Sequence, residues 1–406
     1  MTRPVGPLVS QLTDHGLAIA RAAKIDLGLG YPQVALPPWL CELLAAGVHP
    51  DLAYSVPSKL STTAQAALDG ELLEAACRCL RIDEGHAGNG FVTFSGSVAL
   101  DRVLVSQLGA GGSVVTTTPS VDMVSAMISE HAGVEAIYVA APGPGFDLDV
   151  EALAAALRHD TRCMVVSSPD NPSGNVVTEA QMRALVALAL EHDVTLVLDQ
   201  CVALVNPQGI DIPVLADFAV PELKWVLLWD TGKTFGLNHE KLGFVFCSPN
   251  VRASVRERLN VLQPDVSRRQ KLLFLGILDA ARSNRWFDQL SALVATNLEL
   301  VRQVCLDLPL VTSSPDAGSL VLLDVTPTGL TASIFADILL AEKGIGVISA
   351  RDFFHPVASS GKLQAGHDHF VRIALAREPG MARTAMGKVA ELCDELGRRT
   401  VVPAVG

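Results

Sequence analysis

Trp229-Asp230-Thr231-Gly232-Lys233-Thr234-Phe235-Gly236-Leu237 closes one apolar run, Lys224 to Trp229, and Lys241-Leu242-Gly243 opens another, Leu242 to Cys247. Lys233 is thereby expected on a tight, glycine-bearing turn between two buried strands, where an amine can be positioned for chemistry. A surface lysine is the ordinary alternative. An apolar site that lowers the amine's pKa would make it a competent Schiff-base former. Lys241, on the same connection, reads either as a counter-ion for an anion or as a solvated side chain.

Working outward, further short Val/Leu runs recur at Ser113 to Thr118, Ala136 to Ala140, Cys163 to Ser168 and Thr195 to Asp199, with helical patterns between most of them, notably Glu179 to His192. Runs without alternation suit strands buried on both faces, hence a mostly parallel sheet with right-handed crossovers. Function in such sheets gathers at the strands' carboxyl ends. Asn171, Asp199 and Lys233 all fall there. Asp199 closes the apolar Leu196-Val197-Leu198, where a carboxylate is costly unless paired; a cap or a solvent-facing strand end is the alternative. Ser168-Pro169-Asp170-Asn171-Pro172-Ser173-Gly174 reads as a turn of preset φ, from which the Asn171 amide could also reach a ligand oxygen.

Upstream, Phe91 to Phe94 is a short apolar strand, and Ser95-Gly96-Ser97-Val98-Ala99-Leu100 turns into a helix, a ready anion site because unpaired N–H groups and the helix dipole converge there. No Gly-Lys-Ser/Thr ending makes it a Walker loop. Residues 8–24 have patchy helical spacing, Ile25-Asp26-Leu27-Gly28-Leu29-Gly30-Tyr31-Pro32 is an extended segment, and residues 70–82 form an amphipathic helix. Beyond about residue 250 the helices lengthen (Val251 to Leu262, Arg268 to Ser283, Trp286 to Leu306). Strands at Leu320 to Val325, Gly346 to Ser349 and Phe370 to Ala376 alternate with helices at Ala332 to Lys343 and Met381 to Arg399, a second, smaller α+β unit. Arg372, on the last strand, suits a carboxylate bidentately or a structural ion pair.

With 406 residues the chain exceeds one simple core and suits two domains. A formal charge of -12 argues against nucleic acid as a partner. No apolar run is long enough to span a membrane, and no signal-peptide pattern precedes the first helix. Eight cysteines lie mainly in apolar runs, and Cys77-x-Cys79 has no partner pair, so a metal site is not expected. A cytoplasmic, reducing setting follows. No G-x-G-x-x-G follows an early strand, against a nucleotide-binding dehydrogenase.

In order and spacing, the segments Ile25 to Pro32, Ser95 to Leu100, Ser168 to Gly174, Asp199, Asp230 to Gly243 and Phe370 to Ala376 resemble the class I/II aminotransferases, the fold type I pyridoxal-phosphate enzymes, over nearly the whole chain. The resemblance implies an N-terminal arm contributing to the site (residues 1–40), a large α/β domain binding pyridoxal 5'-phosphate (41–250) and a small α+β domain (251–406). It makes Lys233 the Schiff-base lysine, Asp199 the partner of the pyridine nitrogen and Asn171 that of the ring hydroxyl. Ser95, Gly96 and Ser97 match the phosphate turn, Lys241 the basic phosphate contact, and Arg372 the clamp on the substrate's α-carboxylate, with Gly30 beside it. Tyr54 matches the tyrosine that reaches the neighbouring subunit's phosphate, implying a homodimer with shared sites. Val121 stands where an aromatic ring usually stacks on the cofactor, and Cys201 completes the expected cofactor contacts.

The chain departs from the family pattern at Val121, at Val202, where a tyrosine is usual, and at Asp230, where a serine commonly contacts phosphate. Like-charge repulsion makes Asp230 a poor phosphate ligand, so it is expected to face Lys233 or the substrate as a second acid/base group. The Asp-Thr-Gly-Lys turn and the Asp368 to Leu375 strand are similar to a natural-product branch that includes arginine oxidases and hydroxylases. The acidic residue with which that branch binds guanidinium corresponds to Gly16, with Asp14 nearby. The resulting expectation is a specialised conversion of an α-amino acid or amino-acid-bearing molecule, by oxidation, elimination or replacement, or cyclisation; the alternative is a conventional aminotransferase.

Overall fold

Seven of the apolar runs assemble side by side in a computed structural model that describes residues 11–46, 58–109, 111–131, 133–141, 145–262, 265–308 and 310–401. The strands in chain order are β1 (Ile25–Asp26), β2 (Gly90–Thr93), β3 (Gly112–Thr118), β4 (Val134–Ala140), β5 (Thr161–Ser167), β6 (Thr195–Asp199), β7 (Trp225–Asp230), β8 (Gly243–Cys247), β9 (Val311–Thr312), β10 (Leu320–Asp324), β11 (Ile345–Gly346), β12 (Ile348–Ser349) and β13 (Phe370–Ala374). The large sheet has the order β2-β8-β7-β6-β5-β3-β4. Its pairs are parallel from β7 through β4, while β8 runs antiparallel to both β7 and β2.

Side-chain alternation within these continuous runs explains why both sheet faces are apolar. Leu196, Leu198, Leu227, Trp229, Phe244 and Phe246 enter one core. Their immediate neighbours Val197, Val226, Leu228 and Val245 enter the other, with the helices Gly96–Leu108 and Pro249–Leu262. Trp229, fully buried, stacks on Phe244 with ring centroids 5.2 Å apart, a pairing that adds about 1 kcal/mol to the burial of two large side chains.

The C-terminal part holds an antiparallel sheet of order β12-β13-β10-β9, in which Arg372 of β13 lies opposite Leu322 of β10. The N-terminal segment belongs to this part by pairing, because β1 runs parallel to β11. Two element expectations change. The helix expected from residue 70 begins at Ser58 and runs through Gly70 to Leu80; a Cβ at Gly70 would meet nothing within 4 Å, so the glycine breaks no contact. Packing of Leu72, Leu73, Ala75 and Ala76 in the core offsets its roughly 1 kcal/mol propensity cost. The strand expected at Gly346 to Ser349 divides into β11 and β12, which join different sheets.

Among the described residues no helix is long and apolar enough to cross a membrane, and no cluster of metal-ligating side chains forms. The cysteines are free; Cys77, Cys79, Cys163 and Cys247 are buried, and burial pushes their thiols up to about 12.

Candidate active site

Lys233 sits in the single helical turn Gly232–Phe235 directly after β7, so the strand's carboxyl end aims the side chain. Its Nζ lies 3.9 Å from the centroid of the Tyr31 ring, and Lys241 Nζ lies 5.8 Å from the same centroid. The Tyr31 phenol is pulled below the ordinary tyrosine range, first by the Lys233 cation, with burial opposing and Lys241 and a hydrogen bond with Asn238 assisting. Tyr31 is therefore a site residue that sequence reasoning passed over. Its only local signal was an aromatic ring between Gly30 and Pro32; its approach to Lys233 depends on folding across two hundred residues.

Asp199 ends β6 beside this amine. Its Oδ1 accepts the Cys201 N–H at 2.9 Å. Burial raises its pKa, the nearby Asp230 adds to the rise, and Lys233 and the bonds with Cys201 oppose it. A carboxylate held this way gains from any cation placed against it, because the cation offsets the lost hydration.

Arg372 links three segments. Its Nη1 donates to Asn171 Oδ1 at 2.9 Å, its Nη2 to the Gly28 carbonyl at 2.7 Å, and its guanidinium lies 4.7 Å from the Phe353 ring centroid. The structure thus brings Asn171, the Gly28–Gly30 segment and Arg372 together, with Asn171 Oδ1 accepting from the arginine.

The Ser95-Gly96-Ser97 turn forms the N-terminus of the helix Gly96–Leu108, with Ser95 capping it by accepting the Val98 N–H. Asp230 lies against this turn. Its carboxylate is buried, Oδ2 accepts the Gly96 N–H at 2.7 Å, and Oδ1 accepts the Gly232 N–H at 2.7 Å. Both oxygens are thus engaged by backbone amides, one of them at a helix N-terminus, which attracts a carboxylate as it does any anion. Lys241 Nζ stands 3.9 Å away. Gly96 is needed for this approach: a Cβ there would lie 3.1 Å from Cys201 Sγ and 3.2 Å from Asp230 Cβ.

The remaining expected residues are less central. Val121 precedes the helix Asp122–Glu130 and packs against the core of that sheet face. Val202 faces Gly318, whose added Cβ would lie 3.5 Å from Val202 Cγ2. Tyr54 lies outside the described residues, as does the side chain of Asp14 on the helix Gln11–Ala22. A cavity of about 450 Å³, lined by Thr117, Phe146, Asp170 and Asp316 among others, contains neither Lys233 nor Asp199. Convergent amine, carboxylate, guanidinium and helix N-terminus outweigh concavity alone in locating the site.

The donor set tests whether pyridoxal phosphate suits these residues. An amine, a half-buried carboxylate that gains from a ring N–H⁺, an amide beside an arginine, and a helix N-terminus with a lysine match its aldehyde, ring nitrogen, hydroxyl and phosphate in turn. The residues fit the group, with Asp230 the one side chain of the wrong charge.

Comparison with known proteins agrees. Over 181 residues the chain is 28% identical to an aspartate aminotransferase of Musicola paradisiaca, covering 43% of each chain. Over 271 residues it is 26% identical to the arginine–pyruvate transaminase AruH of Pseudomonas aeruginosa, covering 62% of this chain and 61% of that one. The matches thus span roughly half the length of these curated relatives. In fold it is similar to N-succinyldiaminopimelate aminotransferase from Mycobacterium tuberculosis, with a TM-score of 0.80 over 95% of this chain and 97% of the other at 18% identity. Residues 57–378 match the model of the aminotransferase class I and II family. The chain therefore belongs to the class I and II aminotransferases, enzymes that use pyridoxal phosphate.

Proposed function

We propose that the chain is a conventional aminotransferase acting on an α-amino acid, with Lys233 as the cofactor-bearing amine. The observation that carries this reading is the joining of Arg372 to Asn171 and the Gly28 carbonyl, together with the coupling of Asp199 to Lys233 at the strands' carboxyl ends. Arg372's planar fork binds the substrate's α-carboxylate. Lys233 Nζ takes the proton from the α-carbon and returns it during transfer. Asp199 keeps the proton on the ring nitrogen, and the bound cofactor supplies the electron sink. Tyr31, held over Lys233, orients the amine through its ring face.

The specialised, non-transaminating reaction expected from Val121, Val202 and Asp230 gives way here, since both curated relatives above are named as transaminases. Their names point to amino acids of opposite charge, so the substrate is proposed only as far as its α-amino acid group. The reading also carries a homodimer with shared sites, Tyr54 contributing across it, and a cytoplasmic setting. The test is incubation with an amino-acid panel and an α-keto acid. Stoichiometric formation of the new amino acid and new keto acid supports it; release of ammonia or peroxide without amino transfer refutes it.

A further inference from the structure

The Asp230 carboxylate is held at the Ser95-Gly96-Ser97 turn, the helix N-terminus that the family resemblance makes the phosphate seat. Its two oxygens hold Gly96 N–H, at the start of the helix Gly96–Leu108, and Gly232 N–H, next to Lys233. The pocket around it is close-packed: a Cβ at Gly232 would lie 2.9 Å from each of Asp230 Oδ1, Asn238 Oδ1 and Lys241 Cδ. The seat's charge is altered accordingly. Lys241 contributes +1 and the helix N-terminus about +0.5, so a neutral side chain at 230 would leave about +1.5, whereas Asp230 leaves about +0.5.

We propose that Asp230 is a tethered anion that fills the phosphate seat and sets the chain's affinity for its cofactor, so that the 5'-phosphate adds little to binding. This rests on the reading of Lys233 as the cofactor-bearing amine. Arrival of the phosphate requires the carboxylate to leave the Gly96 amide, and the free energy of that exchange is subtracted from binding. The ring and aldehyde contacts at Asp199, Asn171 and Lys233 are untouched by it. Asp230 is thus a specificity-determining residue for the cofactor's phosphate.

The test compares pyridoxal 5'-phosphate with pyridoxal, which lacks the phosphate, by titrating cofactor-free protein and following visible absorbance, then fixing the bound ligand with borohydride and locating it by peptide mass. In the parent protein the two dissociation constants should lie within about tenfold of each other. Asp230→Ser should tighten pyridoxal phosphate at least about tenfold while moving pyridoxal less than about twofold, and inorganic phosphate should raise the melting temperature of Asp230→Ser but not of the parent. Asp230→Asn, which keeps an acceptor for one of the two amides, should fall between them and serves if the serine variant folds poorly. A parent preference for pyridoxal phosphate beyond about a thousandfold, or an unchanged or weakened constant in both variants, overturns the inference while a label on Lys233 leaves the cofactor reading intact. Absence of any label on Lys233 from either ligand overturns both.

Discussion

Arg377→Met should loosen the N-terminal segment that carries Gly28, Gly30 and Tyr31. Arg377 is fully buried and donates to the carbonyls of Asp26 (2.8 Å), Leu29 (2.5 Å), Tyr31 (2.7 Å) and Ala376 (3.1 Å), with Asp26 Oδ2 3.7 Å away. Burial lowers its pKa to about 10, with Asp26 opposing, so it stays charged at neutral pH. Methionine fills much of the same volume but donates nothing. Three carbonyls of one segment then lose a charge-assisted partner, at about 1 to 2 kcal/mol each. A destabilisation of about 3–5 kcal/mol follows, the range seen when one partner of a buried ion pair is removed. At about 2.1 cal/mol/K per residue the whole chain melts with an entropy near 0.85 kcal/mol/K, so Tm should fall by about 4–6 °C. Chemical denaturation gives the first figure and a thermal scan the second. Hydrogen exchange should show the amides of Leu27 and Leu29 opening first, since Gly346 O and the Asp26 carboxylate hold them. A loss below about 1 kcal/mol with unchanged exchange there would refute the assignment of Arg377 as the segment's anchor.

Arg372→Gln should lower kcat/KM for amino acids by about a hundredfold or more, mostly through KM, because it removes the carboxylate clamp; steady-state kinetics with an α-amino acid and its decarboxylated amine separate this from general damage, since the amine should lose far less. Ultraviolet titration should find a Tyr31 phenol that ionises below the ordinary tyrosine range, and Lys233→Met should move that transition upward by removing the cation. His355, stacked on Tyr138 with centroids 4.3 Å apart, has its pKa lowered by burial from 6.5 to about 4. The unfolded chain therefore binds the proton first, and the stability this group contributes above 6.5 is lost as pH falls from there towards 4. Between about pH 7.5 and about pH 4.5 the parent should lose about 2 kcal/mol relative to His355→Gln by urea unfolding. Asp170, pushed up to about 6 by burial, runs in the opposite sense in both proteins and cancels in the difference.

The large sheet was legible because strands buried on both faces are written as unbroken Val/Leu runs, and Asn171, Asp199 and Lys233 could be placed by their position at the ends of those runs. What the sequence concealed is tertiary. Arg377 and Lys271 read as surface residues on type alone, yet Arg377 is fully buried among backbone carbonyls and Lys271 is buried against Asp69 and Asp265. Asp230 was read from its repulsion with a phosphate; the partners that hold it, Gly96 N–H and Gly232 N–H, are backbone groups with no side-chain signature, and one of them lies 134 residues away. Tyr31 escaped for the same reason. Helix starts such as Ser58 were obscured because a helix can carry an exposed glycine when its other face is well packed.

Borohydride reduction of the protein mixed with pyridoxal phosphate, followed by peptide mapping, addresses the cofactor assignment directly. A stable pyridoxyl-phosphate modification is expected on the peptide containing Lys233 and not in Lys233→Ala. Modification confined to Lys241 or to scattered surface lysines, undiminished in Lys233→Ala, would contradict it.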